Sequence, residues 1–494
     1  MKQKPTLHTK IKSKLLKTAM VLLAAHTAVQ ADEKIAATVA APAPTPAPTS
    51  AGLLNDFLRE KHPAFSKWDI GGQVRARGEY KKYFAAAGVP GAVDFAATGD
   101  GDNAYFLLRE KFHIGYTPSP WVTIYGEARD SSAQNDDRKP SPDSDTVDLY
   151  QAYVRVGNPK EFPLSLKIGR QELTYGDERL VGNGDWNNIP RSFDAAKMRF
   201  ENDCFWVDAF TALPVLARDD RFNRANEHDI LSGVYASTKK LLPKTETQFY
   251  FLSRNTSTDS ATFLTKVLSG LVSPRDIYTV GGRVKSAPGE FGPWDFDAEA
   301  AYQFGRFKTG VATKSLEQQA MATHVAGGYT FAETFGKPRV GLEYNYASGD
   351  SSATDSKHET FDNLFPTNHK FYGYMDFVSL QNIHDLRFAS SIKPCSKLTV
   401  TGDVHAFLLA DNNDFFYSVS GAPRTTGGYG IKTAAGDYVG TEIDLVATYA
   451  IKPYAILQGG YGHFFKGEYV KNSLATTGGS KDADWVYTQM VFNF

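Results

Sequence analysis

Residues 483–494 read Ala-Asp-Trp-Val-Tyr-Thr-Gln-Met-Val-Phe-Asn-Phe. Val486, Thr488, Met490, Phe492 and Phe494 form one mostly apolar face, and Tyr487, Gln489 and Asn493 lie on the other, because successive side chains of a strand point to opposite sides. The same period of two recurs upstream. Leu398, Val400, Val404, Ala406 and Leu408 oppose Thr399, Thr401, Asp403 and His405; Val340, Leu342, Tyr344 and Tyr346 oppose Arg339, Glu343 and Asn345; Ile443, Leu445 and Ala447 oppose Glu442 and Asp444. A soluble sandwich shows this alternation too, so one strand decides nothing. Beyond the first thirty residues, no stretch stays apolar for the roughly 20 residues that a spanning helix needs. In lipid, backbone hydrogen bonding then leaves a closed sheet.

The N-terminus argues for export. Lys2, Lys4, Lys10, Lys12, Lys14 and Lys17 precede an apolar run around Met20 to Ala25, and Val29, Gln30 and Ala31 supply a small-residue cleavage pattern, the plan of a signal peptide. In an exported chain, a strand running to Phe494 resembles the closing strand of a bacterial outer-membrane barrel. The expected organisation is a signal peptide over 1–31, an Ala/Pro/Thr-rich periplasmic linker with a short helix over 32–67, and a transmembrane β-barrel over 68–494. Within the linker region, Leu53, Leu54, Phe57 and Leu58 sit at helical spacing, which reads as an amphipathic lead-in too small to be a plug domain.

From Trp68 onward eighteen strands are expected, separated alternately by tight connections such as 117–120, 201–203, 393–396 and 452–453 and by long ones such as 132–145, 174–192, 349–378 and 412–437. Short periplasmic turns and long outer loops are the layout of an all-β, antiparallel outer-membrane barrel. Trp121, Tyr116, Trp294, Tyr454 and Trp485 fall near strand ends and are assigned to the interfacial aromatic girdles. The 494 residues carry a formal charge of -1, which gives no clustered positive surface for nucleic acid. Cys204 and Cys395 fall in turns on nearly opposite sides of the barrel, too far apart to bridge.

Several segments resemble the alginate-export family of outer-membrane porins: 167–173 (Lys-Ile-Gly-Arg-Gln-Glu-Leu), the 179–194 loop ending Pro-Arg-Ser-Phe-Asp, 361–370 (Phe-Asp-Asn-Leu-Phe-Pro-Thr-Asn-His-Lys), 439–445 and 460–465. The resemblance implies an eighteen-stranded barrel whose narrow, arginine-rich lumen passes an anionic polysaccharide such as alginate. It also implies that Arg170, Arg191 and Asp194 face the channel, although Arg170 departs from the simple alternation of its strand.

Lipid-facing Arg or Lys near the midplane costs about 2–4 kcal/mol, so the charged face of each strand points inward. The first six strands then present a basic wall of Arg75, Arg77, Arg109, Lys111, Arg129, Arg155, Lys167, Lys197 and Arg199 against Glu79 and Glu127. The remaining strands present an acidic wall: Asp208, Glu246, Asp295, Asp297, Glu299, Glu343, Asp385, Asp403, Glu442 and Asp444 against Arg283, Lys285, Arg339 and Arg387. The expected transport residues are Arg75, Arg77, Arg109, Arg129, Arg155, Arg170, Arg191, Asp194, Arg199 and Arg387. Guanidinium groups on one wall suit a chain of carboxylates. Opposed walls that merely neutralise one another, as in a general or solute-specific uptake porin, are the alternative.

No nucleophile elbow or metal-binding His motif accompanies His113, His324, His384, His405 or His463, so no enzyme, cofactor or metal is expected. The loop carboxylates match no defined calcium loop. The implied partners are an anionic polysaccharide or small solute, outer-membrane lipid and periplasmic secretion partners. A monomer is expected, since eighteen strands form a pore alone.

Overall fold

A computed structural model describes residues 52–83, 94–96, 102–219, 221–257, 274–308, 315–479 and 481–494. The expected signal peptide and residues 32–51 of the expected linker segment lie outside the described residues. The barrel strands are β1 Trp68–Lys82, β2 Asn103–Ser119, β3 Val122–Gln134, β4 Asp145–Val156, β5 Leu164–Gln171, β6 Phe193–Glu201, β7 Phe205–Leu216, β8 Asp229–Thr238 and β9 Thr245–Thr256. They continue as β10 Arg275–Ser286, β11 Trp294–Lys308, β12 Ser315–Thr330, β13 Arg339–Ala347, β14 Ile383–Cys395, β15 Leu398–Leu408, β16 Tyr438–Lys452, β17 Ala455–Lys466 and β18 Ala483–Asn493. Each pairs antiparallel with the next, and β1 pairs with β18, so the sheet closes and leaves no free edge along the ring. A short helix, α1 (Leu53–Lys61), precedes the barrel, and α2 (Glu468–Ser473) follows β17.

The alternation sorts side chains by solvent. Leu342, Val325 and Leu445 are 63%, 57% and 54% exposed on the outer face. Their strand neighbours Glu343, His324 and Asp444 are buried inside. Trp121 and Trp294 remain exposed at the outer rims. Trp485 does not join them: it is buried in the lumen, where its indole N–H donates to Glu79 Oε2 at 3.0 Å. Proximity to a strand end had placed it in the girdle, but it shares a face with Tyr487 and so points inward. Cys204 and Cys395 are free and exposed, at the short-turn ends of β6 and β14.

Eight connections, from 453–454 to 331–338, are short and lie on the side of both termini; the other nine lie on the opposite side. Two of those nine turn back into the barrel. The 172–192 and 348–382 loops fill much of the interior with Leu173, Tyr175, Val181, Phe361, Tyr372, Met375 and Phe377, all buried. A cap forms over them where Phe95 stacks on Phe377 at 5.1 Å and Phe377 on Phe464 at 4.6 Å. Arg424 ties this cap down, pairing with Asp94 at 2.9 Å and donating to the Phe377 carbonyl at 3.2 Å.

Candidate functional site

The Arg75, Arg77, Arg109 and Arg129 part of the basic wall does not face open water. Arg75 donates to the carbonyls of Asp185 (2.6 Å) and Asn187 (2.8 Å), and Arg109 to the Asp185 carbonyl (2.9 Å) and carboxylate (3.0 Å). Arg77 lies 3.8 Å above the Trp186 ring, donates to its carbonyl at 2.7 Å and pairs with Glu79 at 2.8 Å. Arg129 pairs with Asp145. Four of the expected transport arginines therefore hold the 172–192 loop or the wall beneath it. Guanidinium groups bind these carbonyls well because their five N–H donors form a fixed fork.

The loop crosses the lumen to the acidic wall. Arg179 reaches Glu343 at 3.3 Å and His324 Nε2 at 3.0 Å, with Phe371 against its guanidinium face at 4.0 Å. Asp177 pairs with Arg283 at 2.5 Å and Lys285 at 3.3 Å. Burial pushes the Asp185 carboxyl up, but Arg109, Lys111 and Arg75 outweigh it and hold the group well below the usual carboxylate range. Asp177 is likewise held low by Arg283, Lys285 and Lys370 against the effect of burial.

The two inner loops also bind each other. Val181 and Phe365 form a parallel bridge, and Gly182 N–H donates to the Phe365 carbonyl at 2.8 Å. Arg191 lies inside the barrel and clasps both loops through the carbonyls of Gly182 (2.7 Å) and Phe365 (2.8 Å). Burial, then Arg254, lowers its pKa to about 10, so it stays cationic near neutral pH. The Trp186 ring stacks on His369 at 3.8 Å. Asp362 anchors the 348–382 loop to Arg254 at 3.3 Å and to Arg275. The backbone N–H groups of Tyr374 and Met375 donate to Asp444 (3.2 Å) and Glu442 (2.8 Å).

Arg170 and Asp194 do not line the channel. Register pairs Arg170 with Ala152 and Asp194, placing both side chains on the face opposite Lys167 and Lys197. Arg170 bonds Asp194 at 2.8 Å and the carbonyls of Leu149 (3.2 Å) and Asn223 (3.3 Å). The pair fills the wall where β5 stops short beside β4. Gly169 permits this ending: its φ is +123°, and a Cβ there would lie 2.2 Å from the Ala152 carbonyl oxygen. The expectation drawn from the resemblance therefore gives way to a structural role.

What remains uncovered is basic. Arg155, Lys167 and Lys197 stand directly opposite one another across β4, β5 and β6, with Arg199 one lumenal position further toward the periplasm. Like charges in this arrangement repel. Among the described residues, Asp208 is the sole carboxylate within ion-pair reach of these four, at 3.4 Å from Lys197 and 2.6 Å from Arg199. It also accepts a hydrogen bond from the Tyr175 hydroxyl at 2.9 Å. Arg155 is exposed. Lys167 sits 3.6 Å above the Tyr153 ring, which stacks on Tyr125 at 5.0 Å. Part of the acidic wall is compensated by its own cations: Arg283 bonds Asp297 at 2.8 Å, Arg387 bridges Glu343 (3.0 Å) and Asp403 (2.9 Å), and Arg339 holds Asp295.

A barrel narrowed by inner loops, with excess positive charge at one mouth, is a channel geometry. Residues 66–483 match the family described as alginate export. The chain belongs to that family. No curated protein matches it. Among solved structures it is similar to three from Pseudomonas aeruginosa. OpdQ gives a TM-score of 0.53 at 11% identity, over 86% of this chain and 97% of that one. OpdK with vanillate gives 0.52 at 13%, over 86% and 98%, and OccD3 (OpdP) gives 0.51 at 13%, over 87% and 91%. At such identities the likeness shows the fold. Alginate-export membership and the closed barrel make this chain an outer-membrane channel rather than an enzyme, located in the bacterial outer membrane, with its short turns on the periplasmic side.

The inner-loop residues Asp177, Arg179, Asp185 and Trp186 escaped sequence reasoning. One signal could have found them: Leu173, Tyr175, Leu180, Val181, Trp186 and Ile189 make this loop too apolar to lie in water.

Proposed function

We propose that this channel exports an anionic polysaccharide, alginate or a relative, taken up at the periplasmic mouth by the Arg155, Lys167, Lys197 and Arg199 row. The observation that carries this reading is four lumenal cations sharing one carboxylate. Opposite walls of equal and opposite charge would give a nonspecific pore; here Asp295, Asp297, Glu343 and Asp403 of the acidic wall are held by Arg339, Arg283, Arg387 and Arg179, and Asp444 and Glu442 are turned to backbone N–H groups of the 348–382 loop. A polymer bearing a carboxylate on each ring can meet this row through charge-assisted hydrogen bonds. The competing reading is uptake of a small anionic solute. It draws support from the interlocked loops above the row, which leave a polymer to displace them.

Reversal potentials in planar bilayers under a salt gradient test the proposal. The wild-type pore should favour anions, and alginate oligomers added on the periplasmic side should reduce its current. A Lys167→Glu/Lys197→Glu variant should lose both properties. A cation-selective pore overturns the anionic reading. An anion-selective pore indifferent to uronate oligomers, yet blocked by small carboxylates, favours solute uptake.

A further inference from the structure

The ladder between β18 and β1 ends at Gly72 and Phe494, each donating its N–H to the carbonyl of the other at 3.0 Å. Toward the periplasm the edge of β1 runs on without a strand beside it. Helix α1 takes that place. Asn55 Oδ1 accepts from the Ile70 N–H at 2.7 Å, and Arg59 donates to the Trp68 carbonyl at 2.8 Å. Two side chains four residues apart thus satisfy edge groups that would otherwise invite pairing with another chain.

This attachment fixes how the helix is rotated. With Asn55 and Arg59 toward the strand edge, a turn of about 100° per residue puts Leu54 and Leu58 on one flank and Asp56 and Glu60 on the other. Leu53 and Phe57 lie on the far side, 38% and 54% exposed. The barrel face nearest this seam is lipid-facing: Trp68 and Tyr116 pack there at 4.5 Å, and Phe492 stacks with Phe494 at 6.3 Å.

We propose that α1 is an interfacial membrane anchor, its Leu53, Leu54, Phe57 and Leu58 face entering the periplasmic leaflet and its Asp56 and Glu60 flank staying in water. Continuity with the lipid-facing band selects lipid as the occupant of this apolar face. Lys61 lies on this same face with its ammonium 5.4 Å over the Phe57 ring, and its long stem can carry that charge up to the level of anionic headgroups.

Spin labels at Leu53→Cys, Phe57→Cys, Asp56→Cys and Glu60→Cys, each in a Cys204→Ser/Cys395→Ser background, test the anchor. The full-length mature protein is reconstituted in vesicles of phosphatidylethanolamine and phosphatidylglycerol, and folding is verified by heat-modifiable gel migration. Positions 53 and 57 should be several-fold more accessible to oxygen than to a water-soluble nickel complex, with the reverse at 56 and 60. Access to the nickel complex at all four positions of a folded barrel overturns the anchor. Exclusion of both reagents at 53 and 57 also overturns it, since that outcome means burial in protein.

Discussion

Arg179 and Arg155 differ in what surrounds them, and that difference outweighs their shared charge. Arg179 is nearly buried between Glu343, His324 and the Phe371 ring. Removing one partner of a buried ion pair leaves the other uncompensated, at about 3–5 kcal/mol. Arg387 still holds Glu343 at 3.0 Å, so Arg179→Gln should cost about 3 kcal/mol, the lower end of that range, in urea unfolding from lipid vesicles. Arg155 is exposed and stands opposite Lys167. Arg155→Gln should therefore stay within about 0.5 kcal/mol of wild type. Equal unfolding midpoints for the two variants would remove the claim that Arg179 locks the loop. Alternation alone identified which side of its strand Arg155 takes. It was silent on Arg179, because a loop has no period from which to read a side chain's direction.

At the scale of elements, the strands were legible because lipid and water impose a strict period of two. Their ends were less so. The connection expected over 132–145 opens only at 135, because β3 runs on to Gln134, while the one expected over 174–192 opens at 172, because β5 stops at Gln171. Rim height is set by which neighbours remain to pair with, and that is tertiary information. The same gap hid the wall position of Arg170 and Asp194. It also hid the inward fold of the 172–192 loop, whose two carboxylates now carry a prediction. Asp177 and Asp185 both titrate below the ordinary range in the folded protein. Depressed folded values mean that their stabilisation is fully present above the ordinary Asp pKa of about 3.9 and is lost only as pH falls through the lower folded values. Amides of residues 172–192 should accordingly keep their hydrogen-exchange protection, corrected for intrinsic rates, from pH 7 down to about 4. The Asp177→Asn/Asp185→Asn variant should lose protection across that whole range. A wild-type loop that loosens between pH 7 and 4 while the double variant matches it would show that other groups seat the loop.

For the whole molecule, everything inside depends on closing the ring, which β1 and β18 do along a ladder from Gln73/Asn493 to Lys82/Asp484. Gln73 Nε2 donates to Asn493 Oδ1 at 3.0 Å across the seam, and Gln73 Oε1 accepts from Arg109 at 2.8 Å. The last strand pair is thereby joined to the arginines that hold the 172–192 loop. On the lipid side, Gly72 leaves room for the Phe494 ring: a Cβ there would lie 2.6 Å from the ring and 2.3 Å from the Lys111 carbonyl oxygen. Gly78, six residues along the same strand, would place its Cβ no closer than 4.0 Å to the Thr488 methyl. Both positions face lipid, where an added apolar side chain is favourable, so a Val at each isolates closure from hydrophobicity. Gly72→Val cannot be absorbed by a rotamer change, because one obstacle is backbone. It should sharply lower the yield of heat-modifiable folded barrel, whereas Gly78→Val should fold as wild type. Should Gly72→Val also fold normally and conduct with unchanged selectivity, the β1–β18 seam is not what limits assembly, and the coupling from seam to loop fails with it.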